Sequence, residues 1–142
     1  MPVPWNIRMK QSGFTELAFA GNYLKEPLTG FSASVEKIDK NPQQVRRVLR
    51  GFLRSMRAFR QDKKGAVEFI ARRFRLDLPV AEESYRIVLQ SLSDDGTISQ
   101  ASLLEFIEQV KKEPGVKKQV TVNDLVDFRI LRDAAKDIDG KS

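Results

Sequence analysis

The chain has 142 residues, 41% of them hydrophobic and 31% charged, a size and balance that fit one ordinary globular domain and exclude a disordered one. It contains no cysteine and no histidine, which removes disulfides, thiol nucleophiles, Cys/His zinc sites and every imidazole base. The net charge of +6 is uneven: residues 1–75 carry 16 Lys/Arg against 6 Asp/Glu, and residues 76–142 carry 9 against 13, a split that suits either an anionic partner or the docking of one half on the other.

Pro2, Pro4 and Trp5 open an irregular segment that leads into a short helix across Ile7–Gln11, with Asn6 as its cap and Gly13 as its end. Leu17 and Phe19 then alternate with small or polar residues, as in a half-buried strand, and Gly21-Asn22 marks a turn. After Pro27 a second alternating run follows through Thr29, Phe31, Ala33 and Val35, with Gly30 and Ser32 between them. This part of the chain reads as two or three short strands, with Gly30 marking a bend or a close backbone approach.

From Pro42 the pattern becomes helical almost to the end. Asn41 is a good cap and Pro42 suits the first helical position. Val45, Val48, Leu49, Phe52, Met56 and Phe59 recur at the spacing of one helix face. Further helices are expected at about Lys64–Phe74, Pro79–Leu92, Gln100–Lys112 and Asp124–Ile138, started by Asp77 or Leu78, by Ser99 and by Asn123. Glu113-Pro114-Gly115 stops the fourth. The expected fold is therefore α+β and mostly α, with a strand and hinge segment over 1–40 and a helical region of about five amphipathic helices over 41–142.

The helix beginning at Pro42 carries Arg46, Arg47, Arg50, Arg54 and Arg57 on one side and a strip of small residues, Gly51, Ser55 and Ala58, elsewhere. Phosphate contact is one use of such a stripe. No aromatic residue is interleaved on that face for stacking, so a solvated or acid-paired face is the better reading and nucleic acid is not the expected partner. Ser93-Asp94-Asp95-Gly96-Thr97-Ile98 resembles part of a calcium loop. Placing Gly96 at the sixth loop position puts Ser91 first and Ser102 twelfth, where carboxylates are required. A turn followed by a Ser99 cap explains it better. Glu82, Glu83, Glu105 and Glu108 sit where helix dipoles and neighbouring lysines account for them. No phosphate loop, metal site or cofactor site is read, and catalysis is not expected.

Pro4-Trp5-Asn6 is the segment best suited to a ligand. A Trp beside Pro at a helix start can present an aromatic wall and free N–H groups to an anion; filling a gap between loop and strand is at least as ordinary a role for it.

Several separated pieces, VPWN, GFTELAFAGNYL, PLTGFSASVEKI, NPQQVRRVLRG, DDGTISQASLLEFI and VNDLVDFRILRD, in this order, resemble the C-terminal half of bacterial solute-binding proteins of the NMT1/THI5-like class, which serve ABC importers of nitrate, sulfonates, taurine or thiamine precursors. The resemblance spans about Pro4 to Ile138. It implies part of a type II periplasmic binding fold, with the chain around Pro27–Val35 returning from the second lobe to the first. It places Pro4, Trp5, Asn6 and Thr29 at the border of the ligand cleft. For the intact protein it implies a periplasmic or extracytoplasmic location, a small organic or anionic solute and a membrane permease as partners. Phe14, Leu17, Phe19, Phe31 and Val35 would lack cover in this half alone, so self-association is expected. The competing class is an independent basic helical module that docks through its arginines.

Overall fold

A computed structural model of the chain describes residues 3–19, 22–23, 29–112 and 119–139. Eight helices are found there: α1 (Trp5–Gln11), α2 (Val35–Lys40), α3 (Pro42–Gln61), α4 (Lys63–Phe74), α5 (Leu78–Ser91), α6 (Gln100–Val110), α7 (Val122–Leu125) and α8 (Arg129–Asp139).

No strand occurs among the described residues, which overturns the α+β expectation. Residues 14–19 and 29–34 have no regular structure. Alternation of apolar residues supplies only one side of a strand; the other is a neighbouring backbone to take its N–H and C=O groups, and these two runs have none. The second run ends early because Ser34 caps a helix. Its Oγ accepts the Lys37 N–H at 3.2 Å, and Val35, read as the last strand residue, becomes the first of α2. Phe31 instead meets Phe52 of α3 edge to face, with ring centroids 4.8 Å apart.

The later helices follow local chemistry. The Asn41 carbonyl accepts from the Gln44 amide at 3.0 Å, so α3 starts at Pro42 as expected. Asp62 caps α4 through the Gly65 amide at 2.8 Å, and Ser99 caps α6 through the Ser102 amide at 3.1 Å. The single helix expected over Asp124–Ile138 is two. Thr121 and Asp124 form a reciprocal capping box that starts α7 early. Val126 then turns extended, and Asp127 accepts from the Arg129 amide at 2.9 Å to start α8. Gly21, Pro27 and the stop at Glu113-Pro114-Gly115 lie outside the described residues.

The chain divides into two compact units, one of Met1–Ala20 with Arg54–Leu92 and one of Gly21–Leu53 with Ser93–Ser142. The first is built on α4 and α5, packed side by side, with α1 against α5. Ala66, Ile70, Ala81 and Tyr85 form its core, with Phe59, Val67 and Leu89 against them. Phe59 and Tyr85 stack at a tilt, centroids 4.9 Å apart. Burying a side chain the size of Ile70 contributes about 1.5–3 kcal/mol, and each alanine methyl about 0.8 kcal/mol. Ser84 is buried in the same helix and satisfied by donating to the Val80 carbonyl at 2.7 Å.

In the second unit Leu53, Leu131 and Ala134 are buried together, with Leu49, Phe128, Ala135 and Ile138 packed on them. Leu103 and Ile107 face inward on α6, which contacts α7. Gly96 adopts φ +81° in the turn before α6, a conformation that favours glycine. No helix among the described residues is long and apolar enough to cross a membrane.

Candidate functional site

Pro4, Trp5 and Asn6 stand together at the start of α1, but not as a cap followed by free amides. Helix α1 begins at Trp5 with Pro4 in the cap position, so Asn6 lies inside the first turn. The Pro4 carbonyl accepts both the Ile7 and Arg8 amides at 3.2 Å, which removes two of the donors an anion would use. Asn6 is half-buried, and its Oδ1 is enclosed without a hydrogen-bond partner. Trp5 is 55% exposed, with the Arg8 guanidinium 5.3 Å from its ring centroid. Thr29 is exposed and belongs to the other unit.

The arginines of α3 divide by partner. Arg46 grips Asp137 of α8 with both Nε and Nη2, at 2.8 and 2.6 Å, and Arg50 reaches the same carboxylate at 3.9 Å. This end of the stripe is acid-paired. Arg47 and Arg54 are exposed.

A second basic cluster closes α4, and the reading of the α3 stripe alone missed it. The stretch Phe69–Arg75 places Phe69, Arg72, Arg73, Phe74 and Arg75 around an open depression of about 630 Å³. Its sequence signal, aromatics interleaved with arginines in FIARRFR, was present in the chain. Arg73 lies 5.8 Å from the Phe74 ring centroid. Arg75 adopts the left-handed conformation, φ 52°, at the end of α4, where glycine is usual. Its carbonyl accepts Arg8 Nη2 at 3.2 Å, which joins the Trp5 and Arg8 pair of α1 to this cluster.

The carboxylates offer no general acid where their shifts resolve. Lys63 hydrogen-bonds Glu82 and holds its pKa below the usual value, and Lys111 does the same to Glu108. The Thr97 hydroxyl and amide lower Asp95, and the Arg129 guanidinium and amide lower Asp127. All four stay ionised at neutral pH. In the calcium-like loop, Asp95 Oδ1 is taken by the Thr97 hydroxyl and amide at 2.7 and 2.9 Å. Among the described residues no group of three or more acidic side chains is placed to hold a metal.

Comparison with protein-family models, with curated proteins and with solved structures finds no match to this chain.

Proposed function

We propose that the chain is the C-terminal part of a solute-binding protein of an ABC importer, and that in the whole protein it helps capture a small organic or anionic solute without catalysis. The observation that carries this reading is the apolar surface left bare outside the helices. In one unit Phe14 is 60% exposed and Leu17 96%, and in the other Phe31 is 62% exposed. Large apolar side chains exposed on backbone without regular structure call for cover. In this reading, preceding residues of the whole protein supply it. The ordered sequence pieces from VPWN to VNDLVDFRILRD support the nitrate, sulfonate, taurine or thiamine-precursor class, and with it an extracytoplasmic location and a permease partner. Pro4, Trp5, Asn6 and Thr29 are the cleft residues of this proposal; the exposure of Trp5 and Thr29 fits that role.

The test extends the reading frame upstream of Met1, expresses the longer protein, and titrates it with taurine, nitrate and an alkanesulfonate by calorimetry. The expected result is stoichiometric binding by the longer protein, none by the 142-residue chain, and concentration-dependent association of the short chain in light scattering. A native start at Met1 together with a monomer at every concentration overturns the reading. A second reading, an independent basic helical module, is favoured by one observation: both cores close on helices alone.

A further inference from the structure

We infer that the basic and aromatic surface at the end of α4 and the start of α1 is a docking site for an anionic membrane surface. The inference does not rest on the transport reading. Three large aromatic side chains stand about half out of the protein in one unit: Trp5 at 55%, Phe69 at 56% and Phe74 at 53%. Arg72, Arg73 and Arg75 line one depression with Phe69 and Phe74, and Arg8, which lies against the Trp5 ring, is tied to it through the Arg75 carbonyl. None of these four arginines has a carboxylate partner among the described residues, whereas Glu82 and Glu83 of the same unit are paired with Lys63 and Arg86. Uncompensated guanidinium groups beside exposed rings match the headgroup layer, where phosphates take the arginines and the rings enter the boundary with the acyl chains.

Two features separate this partner from single-stranded nucleic acid. A base-stacking platform offers open ring faces, but guanidinium groups lie over Trp5 and Phe74 at 5.3 and 5.8 Å. Helix α4 also turns Ala66 and Ile70 into the core, so its last turn presents Arg72, Arg73 and Phe74 outward, with Phe69 and Glu68 exposed one turn before, and not a groove that follows a strand. The left-handed Arg75 adds weight. A position where glycine would cost less is filled by a cation.

The only tryptophan of the chain is in this patch, so its fluorescence reports on the proposed contact. The full chain is titrated with vesicles of phosphatidylcholine alone and with vesicles containing phosphatidylglycerol. The expected result is binding to the anionic vesicles alone, weakened by added salt, with a blue shift of Trp5 and quenching by brominated lipid. Each arginine removed lowers partitioning by about fivefold, so Arg72→Gln/Arg73→Gln falls roughly 25-fold, while Arg47→Gln/Arg54→Gln, with the same charge loss on α3, changes it far less. Arg75→Gly separates binding from folding: it raises Tm by relieving the left-handed residue and still lowers partitioning. No binding to anionic vesicles overturns the proposal, as does binding with Trp5 unshifted or an equal loss in the two double variants. A Trp5 shift produced by a dT20 oligonucleotide instead of vesicles overturns it in favour of nucleic acid.

Discussion

Replacing Asp137 with alanine tests whether the α3 stripe is held down or merely solvated. The carboxylate receives two charge-assisted hydrogen bonds from Arg46, at 2.8 and 2.6 Å, and lies 3.9 Å from Arg50. Hydrogen bonds to charged groups contribute about 1.5–3 kcal/mol. The Arg46 and Asp137 side chains are 32% and 27% exposed, so water screens part of that and an exposed pair would keep at most about 1 kcal/mol. Half burial and two-point geometry put this pair above the exposed range, at about 1–2 kcal/mol. Arg46 retains the Asp133 carbonyl at 3.3 Å, which limits the damage. For a chain of this size that is a fall in Tm of roughly 3–8 °C. Because the chain has two compact units, urea titration by circular dichroism is paired with hydrogen exchange of α8 amides, which locates the loss. The cycle Asp137→Ala, Arg46→Ala and both together isolates the pair. A coupling below about 0.3 kcal/mol would refute the argument from geometry.

Gly96→Ala is expected to cost about 1 kcal/mol, because φ is +81° and the added Cβ meets Leu131 and Leu53 at an ordinary 3.5 Å. Gly96→Asn, which tolerates that conformation, loses about half as much, and equal losses in urea titrations would point to crowding instead. Ser99→Ala removes the oxygen that accepts the Ser102 amide and is expected to lower stability by about 1 kcal/mol, with faster exchange confined to the first turn of α6. The lowered pKa values of Asp95 and Asp127 fix the sign of the acid response. Groups depressed in the folded state contribute stability above their ordinary value of 3.8 and lose it as the pH falls through the depressed one. Thermal stability is therefore flat from neutral pH down to about 5 and declines below about 4; Asp127→Ala flattens that decline, and an unchanged slope in the variant counts against the Arg129 pairing.

The helices were legible where one residue's chemistry settles a boundary. Pro42 and Ser99 mark starts that hold in the structure, since a fixed φ and a cap hydroxyl act within one turn. The strands were not legible. The alternation of Leu17 and Phe19, or of Phe31 and Val35, specifies a face but not the neighbour that would complete a ladder. The break between α7 and α8 was hidden for a related reason. Asn123 is a good cap by type, but Thr121 and Asp124 satisfy each other two residues earlier, and Asp127 recaps the chain. At the candidate site Trp5 was singled out for its ring. Its setting was missed, because Arg8 and the FIARRFR stretch meet only once α1 and α4 are both in place around α5.

The bond between Arg46 and Asp137 joins residues 91 apart in the chain, whereas Lys63 and Glu82, which link α4 to α5, are 19 apart. Loop closure costs more as the span grows, and local contacts form sooner. During synthesis α4 and α5 leave the ribosome as a hairpin able to pair at once, while the first half of α3 keeps Leu49 and Leu53 bare until α8 follows. The second unit is thus assembled last, and its waiting apolar face is the stretch of this chain with most need of a chaperone.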